Sequence, residues 1–208
     1  MRIFLTSRGF AQKEVAKSIE EIVGKPLGEI RLLFIPTARY GYFRKNKLIE
    51  GLCEAGFSAE NILFFDHRYP ERFTQKPEMF YTCGGNTFLL QKYMKDSGFL
   101  PTLKSWVEEG VPYVGASAGS HLVTKSIAHL VHFDENKVEE TDFDGLFLVP
   151  FVVICHYGDE KRQKVAAEMR VAGEIVHPIC NEELLLAEGE GRLNLTKINC
   201  LTGEKTLL

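Results

Sequence analysis

The stretch GASAGSH, residues 115–121, places a serine between two alanines and two glycines. It matches the pattern G-x-S-x-G, in which a strained turn between a strand and a helix exposes a nucleophilic serine. The apolar residues VPYV precede it and a segment that can form a helix follows it, which is the setting that such a turn requires. We therefore predict that Ser117 is a nucleophile. A tight structural turn and a phosphate-binding turn are the alternatives that these residues leave open.

A nucleophilic serine needs a base, and the chain contains six histidines. His156 ends the apolar run VVIC and opens the polar loop YGDEKR, so we expect it at the same rim of the sheet as Ser117. His121 lies on the helix that leaves the serine turn, a position more typical of a surface or packing residue. The sequence favours His156 as the base over His121 and over the weaker candidates, which are His67, His129, His132 and His177.

The base needs an acidic partner that orients its ring. The segment between Ser117 and His156 contains six acidic residues, namely Asp134, Glu135, Glu139, Glu140, Asp142 and Asp144. Asp134, in VHFDEN, follows an apolar stretch and could be held half-buried, whereas the others are typical of a solvated acidic face. We predict Asp134 as the acid of the triad.

Acyl transfer also needs an oxyanion hole, usually two backbone N–H groups. The N–H of Ala118, directly after the serine, is the natural first donor. Gly85, in TCGGNT, could bring a second N–H close because it has no side chain. Asn86 or Thr87 would then cap the helix that follows. A plain strand-to-helix turn with a cap is the alternative, and the two interpretations are compatible.

The elements that position these residues can be predicted from the apolar pattern. Six segments predict strands: 2–7, 31–38, 61–66, 79–85, 112–117 and 149–157. Six segments predict helices: 11–24, 46–56, 86–98, 100–110, 117–125 and 160–173. This alternation predicts an α/β fold with a mostly parallel sheet and helices on both faces. Short segments after Pro178 predict an antiparallel edge, and we expect one domain, 1–208.

In such a sheet, ligands bind at the carboxyl ends of the strands. Three loops follow strand ends and are the expected places for a site: TSRG, TCGGNT and GASAG. Both the predicted nucleophile and the predicted oxyanion donors lie in these loops. The sequence therefore predicts one site at this edge of the sheet.

Composition limits the other classes of function. The net charge of -3 argues against binding to nucleic acid or to an anionic membrane. No apolar run approaches the ~20 residues of a membrane span, and the start lacks the apolar core of a signal peptide. The 5 cysteines form no C-x-x-C pair, which favours buried, reduced thiols over a zinc site. We expect a soluble cytoplasmic protein.

Four segments together resemble a known family of enzymes. FIPTA on the second predicted strand, TCGGNTFLL on the fourth, YVGASAGS at the serine turn and the later CHY are similar to peptidase E, the α-aspartyl dipeptidase family of serine peptidases. The resemblance covers about residues 30 to 165. It implies a three-layer α/β/α sandwich like that of class I glutamine amidotransferases, with a serine where those enzymes use a cysteine.

The resemblance also implies roles at the matching positions. Ser117 corresponds to the nucleophile and His156 to the base. Gly85, the second glycine of GGN, corresponds to an oxyanion donor beside Ala118. The acid of the family lies between the serine and the histidine, which again favours Asp134.

The family cleaves dipeptides that begin with aspartate, so the implied partner is a small peptide. A cation near the histidine loop would pair with the substrate carboxylate, and Arg162 or Lys161 could supply it here. Asn86 is a further candidate for substrate binding. The resemblance implies neither a metal nor an organic cofactor.

Two other functions are compatible with the same residues. An esterase or amidase, including a cyanophycinase-like hydrolase, could use the same triad on another acyl substrate. A catalytically degenerate relative could bind a small acidic ligand at the serine turn. An amidotransferase is disfavoured because the turn carries a serine and Cys83 precedes a glycine pair instead.

Overall fold

A computed structural model describes residues 1–39 and 45–208 of the protein, which form ten strands and six α-helices. The strands are β1 (Arg2–Thr6), β2 (Leu32–Ile35), β3 (Ile62–Phe64), β4 (Met79–Thr82), β5 (Tyr113–Ala116), β6 (Val152–Cys155), β7 (Val176–Ile179), β8 (Glu183–Glu188), β9 (Asn194–Asn199) and β10 (Lys205–Leu207). The helices are α1 (Lys13–Val23), α2 (Lys45–Glu54), α3 (Thr87–Asp96), α4 (Leu100–Glu108), α5 (Ala118–Leu122) and α6 (Glu160–Val171). Every predicted helix and strand is present.

Eight of the strands form one sheet in the order β10-β9-β8-β1-β5-β4-β2-β3. The five strands from β1 to β3 in that order are parallel, and β8, β9 and β10 join them as an antiparallel edge. This confirms the predicted α/β class and the predicted antiparallel edge. Because β1, β4 and β5 are neighbours and parallel, Thr6, Thr82 and Ala116 end at the same rim of the sheet.

The two faces of this sheet contact different cores because successive strand residues point in opposite directions. Ile3 and Leu5 of β1 pack in one core with apolar residues of α3, α4 and α5. Phe4, between them, packs in the other core with residues of α1 and α2. Helices therefore cover both faces, as the alternating pattern predicts. Each fully buried side chain of this size contributes about 1.5–3 kcal/mol to folding through its removal from water.

The run at residues 149–157 forms β6, but β6 does not join the central sheet. It pairs in parallel with β7, and the register places Cys155 beside Ile179. The end of β6 still reaches the rim of the central sheet, because the N–H of His156 donates to Ser7 Oγ at 2.8 Å. The two-stranded sheet therefore supplies one wall of a site whose other wall is the central sheet.

Side-chain caps fix the starts of two helices next to this rim. Asn86 Oδ1 accepts from the N–H of Leu89 at 2.9 Å at the start of α3. Asp159 Oδ1 accepts from the N–H of Arg162 at 2.9 Å at the start of α6.

No helix within residues 1–39 and 45–208 is long and apolar enough to cross a membrane. All five cysteines are free thiols.

Candidate active site

Ser117 lies in a strained turn between β5 and α5. Its backbone has φ 49° and ψ −109°, a conformation that side-chain-bearing residues rarely adopt and that costs about 1–3 kcal/mol. Hydrogen bonds on both sides hold it there. Its N–H donates to Thr6 O at 2.9 Å, and its carbonyl accepts from the N–H groups of Ser120 and His121 at 2.8 and 3.0 Å. A strained residue that its surroundings fix in this way is typical of a functional site.

The glycines of GASAG are required by the close packing of this turn. A Cβ at Gly115 would lie 2.6 Å from the N atom of Ser120. A Cβ at Gly119 would lie 2.1 Å from the carbonyl oxygen of Thr82, on the neighbouring strand β4. Neither position can accept a side chain without movement of the backbone. The glycine pattern seen in the sequence therefore reflects the geometry of the serine turn.

His156 follows β6 and has a positive φ of 55°. Its N–H donates to Ser7 Oγ, which in turn donates to Ile179 O at 2.8 Å. Its Nδ1 lies 2.8 Å from Oδ1 of Asn181. Since an amide oxygen can only accept, Nδ1 carries the proton in the neutral ring and Nε2 keeps a lone pair. That is the tautomer that a general base needs.

Asp134, the predicted acid, is not brought to His156 Nδ1. Its Oδ2 accepts from the N–H of Thr87 at 2.7 Å, at the start of α3. A carboxylate is favourable there because the first turn of a helix leaves N–H groups without acceptors inside the helix. The partner of His156 in the structure is Asn181, an amide outside the segment between Ser117 and His156 where an acid is predicted.

The position of Asn181 depends on the pairing of two strands. Asn181 lies 25 residues after His156. The register of β6 with β7 sets Cys155 beside Ile179, so the residues that follow each strand become neighbours. No local pattern around Asn181 marks it as a partner of a histidine.

The glycine pair 84–85 lies against the serine turn. A Cβ at Gly84 would be 3.2 Å from Ser117 Cβ, so the two backbones are in close contact. Gly85 has φ 155°, and a Cβ there would lie 2.2 Å from Ala38 O. The N–H of Gly85 has no acceptor among the described residues, and the N–H of Ala118 begins α5 and has none within that helix. Gly85 lines the same pocket as Ser117, and the oxyanion role of Gly85 and Ala118 stays a prediction.

One pocket of about 480 Å³ contains these groups, and we call it the serine pocket. Its walls include Ser117 and His156, the glycine pair 84–85, the carboxylate-bearing Asp134, and three arginines, Arg8, Arg39 and Arg162. Cations outnumber anions among these charged side chains. The charged side chains that line the pocket therefore sum to a net positive charge.

The predicted substrate-binding residues differ in where the structure places them. Arg162 lines the serine pocket, with Nε donating to Cys155 O at 3.1 Å and its guanidinium 4.9 Å from the centre of the Phe133 ring. Its guanidinium also pairs with Asp159. The Nζ atom of Lys161 lies 5.7 Å from the centre of the same ring, and Lys161 does not line the pocket. Asn86 uses its side chain to cap α3 and to donate to a backbone carbonyl, and it too is outside the pocket lining.

The other polar groups at this site are neutral. Burial lowers the pKa of His121 well below its ordinary value, and the side chain lines the pocket. It is thus a buried residue with an uncharged ring. Burial raises the pKa of Cys155 to about 12 and that of Cys83 to about 11, so neither thiol ionises readily. No group of histidine, cysteine, aspartate and glutamate side chains in the described ranges is arranged to hold a metal ion.

Comparisons with known proteins identify relatives of this chain. The family model described as peptidase family S51 matches residues 3–194. A protein named an uncharacterized peptidase from Listeria innocua is 32% identical over 56% of this chain and 58% of its own length. A protein named "probable alpha-aspartyl dipeptidase" from Drosophila melanogaster is 30% identical over 73% of this chain and 62% of its own length. The chain thus spans about three fifths of these curated relatives.

A solved structure is similar over almost the whole fold. It is the crystal structure of a "putative peptidase E" from Listeria monocytogenes, with 26% identity and a TM-score of 0.75. The similarity covers 95% of this chain and 98% of that one. The resemblance to peptidase E that the sequence motifs indicate is confirmed by these matches.

Proposed function

Since this chain belongs to peptidase family S51, we propose that it is a serine peptidase that cleaves short peptides with Ser117 as the nucleophile and His156 as the base. The observation that carries the proposal is the pairing of a strained serine turn with a histidine of the required tautomer in one pocket. The family membership supports the reaction class, and the geometry supports the roles of the residues.

In the proposed reaction, Ser117 Oγ attacks the carbonyl carbon of the scissile peptide bond while His156 Nε2 takes its proton. The N–H groups of Gly85 and Ala118 stabilise the negative oxygen of the tetrahedral intermediate. When the C–N bond breaks, His156 returns the proton to the leaving amine and an acyl-enzyme remains. Water then attacks that ester with His156 again as the base, which releases the acid and frees Ser117.

Asn181 takes the place of the acid in this arrangement. Its Oδ1 holds the Nδ1 proton of His156 and fixes the ring orientation. An amide oxygen carries only a partial charge, so it stabilises the imidazolium less than a carboxylate would. We therefore propose a Ser-His-Asn triad of Ser117, His156 and Asn181.

The charges of the serine pocket support dipeptides with an N-terminal aspartate as substrates. Arg162 would pair with the aspartate side chain, and Arg8 and Arg39 add positive charge to the same pocket. Asp134 would pair with the free α-ammonium group, because it is the carboxylate on the pocket wall. The name of the Drosophila relative agrees with this choice.

The domain organisation and the localisation of the enzyme are part of the same proposal. Residues 1–208 would act as one domain, since both large cores pack on one central sheet. The five free thiols support a reducing compartment such as the cytoplasm.

Hydrolysis of a dipeptide panel tests this function. The panel contains Asp-Leu, Glu-Leu, Ala-Leu and N-blocked Asp-Leu, with S117A as the matched inactive variant. We expect cleavage of Asp-Leu, little cleavage of Ala-Leu and N-blocked Asp-Leu, and none by S117A. If a fluorophosphonate labels Ser117 but no dipeptide is cleaved, Ser117 is still the nucleophile and dipeptides are not the substrates. Equal activity of S117A would exclude the nucleophile.

A further inference from the structure

Arg39 contacts the backbone of the glycine pair that faces the nucleophile. Its Nε donates to the carbonyl oxygen of Gly84 at 3.3 Å. The side chain is exposed, lines the serine pocket, and forms no ion pair with any residue in the described part of the chain. Its charge is therefore directed at a backbone carbonyl rather than at a carboxylate.

The oxygen that Arg39 binds belongs to the same peptide group as the N–H of Gly85. In a planar trans peptide the C=O and N–H bonds point in opposite directions, so fixing one fixes the other. A cation on the carbonyl oxygen also polarises the amide, which makes its N–H a stronger donor. The N–H in question is one of the two proposed oxyanion donors.

This peptide group has few other hydrogen bonds among the described residues. Two consecutive glycines allow a wider range of backbone angles than any other pair of residues. The N–H of Cys83 donates to Ile35 O at 3.1 Å on one side, and the N–H of Asn86 donates to Ala38 O at 2.8 Å on the other. Between these anchors, the donors to the Gly84 carbonyl among residues 1–39 and 45–208 are Arg39 and the Cys83 thiol, which is a weak donor. The guanidinium is the stronger of the two because it is charged.

We propose that Arg39 is a positioning residue of the oxyanion hole, which holds and polarises the Gly84–Gly85 peptide so that the Gly85 N–H faces the oxygen of the tetrahedral intermediate. This role rests on the proposed serine-hydrolase function. It acts on any acyl or phosphonyl group that Ser117 attacks, whatever the charge of the substrate. It is thus separable from a role of Arg39 in binding a substrate carboxylate.

The rate at which a small uncharged fluorophosphonate labels Ser117 tests this role. Its phosphoryl oxygen would occupy the oxyanion hole, and the reagent carries no carboxylate for an arginine to bind. Arg39→Met removes the donor and the charge but keeps much of the side-chain length. Arg39→Lys keeps a charged donor. Lys47→Ala removes a nearby positive charge, because Lys47 lines the adjoining groove with Arg39 but not the serine pocket.

We expect labelling of R39M to be about 10-fold slower than wild type, less than the roughly 10²–10³-fold cost of losing an oxyanion donor outright. R39K should label at least about 3-fold faster than R39M, and K47A within about 2-fold of wild type. Thermal unfolding checks that each variant is folded.

Three results would overturn the role of Arg39: wild-type labelling by R39M, no recovery in R39K, or an equal loss in K47A. Absence of labelling in the wild-type protein would instead show that Ser117 is not a nucleophile. Arg39 would then have no oxyanion hole to position. The two failures are therefore distinguishable.

Discussion

The ring of His156 is held by an amide, with Nδ1 2.8 Å from Oδ1 of Asn181. This relationship gives the base its tautomer without a buried negative charge beside it. It also connects the base to β7, because Asn181 follows that strand and His156 follows its partner β6. Substitutions of Asn181 should therefore separate two effects on activity: the orientation of the His156 ring and the charge beside it.

Substitution of Asn181 tests this directly. Asn181→Ala removes the acceptor, so we expect kcat to fall about 10²–10⁴-fold, as expected when a triad base loses its orienting partner. Asn181→Asp should retain activity and shift the acid limb of the pH–rate profile to higher pH, since a carboxylate stabilises the imidazolium. The measurement is kcat/KM for Asp-Leu from pH 5 to 9. Full activity of N181A would remove Asn181 from the triad.

Asp134 should behave as a binding and capping residue rather than as the acid of the triad. Asp134→Asn keeps an acceptor for the N–H of Thr87 but removes the charge from the serine pocket. We expect KM for Asp-Leu to rise while kcat stays within about 10-fold of wild type. A fall in kcat of about 10⁴-fold, as for a lost triad acid, would contradict this assignment. Asp134→Ala should also lower the free energy of unfolding by about 1 kcal/mol, because the N–H of Thr87 loses its acceptor.

Gly85 should not tolerate a side chain. A Cβ there would lie 2.2 Å from Ala38 O, and φ 155° is strained for any residue with a Cβ. Gly85→Ala should therefore displace the oxyanion N–H and lower kcat by about 10²–10³-fold. Gly51→Ala is the matched control, because Gly51 lies in α2 with no atom within 4 Å of an added Cβ. Comparable kcat values for the two variants would argue against the oxyanion role of Gly85.

Stability should fall below neutral pH because of a buried histidine. Burial lowers the pKa of His129 from its ordinary 6.5 to about 4 in the folded protein. Below pH 6.5 the unfolded chain binds a proton that the folded one does not, so the free energy of unfolding decreases as the pH falls toward 4. The contribution of His129 to this effect is about 3 kcal/mol.

Urea unfolding between pH 7.5 and 4.5 measures this dependence. His129→Gln should reduce the slope, with the part due to the buried His121 remaining, whereas His132→Gln, at an exposed side chain, should leave it unchanged. The same slope in H129Q as in wild type would assign the pH dependence to other groups, of which the buried His121 is the first to substitute.

The sequence by itself determined which segments form helices and strands, and which turn carries the nucleophile. Both depend on residues that are close together in the chain. Apolar periodicity distinguishes strands from helices over a few residues. The glycines at 115 and 119 mark a turn in which no Cβ fits, and Gly85 marks a close approach of two backbones. The glycine pair and the serine were also predictable as one site, since they follow neighbouring parallel strands of one sheet. The histidine, expected at the same rim, reaches it from the separate sheet of β6 and β7.

Only the tertiary structure decided which side chain orients the base. Asp134 and Asn181 are both polar residues after apolar runs, and nothing in either neighbourhood selects one of them. The choice follows from the pairing of β6 with β7 and from the start of α3, where the N–H of Thr87 binds the carboxylate of Asp134. Contacts of this kind join residues far apart in the chain, so they depend on strand register and helix placement, which local sequence patterns do not specify.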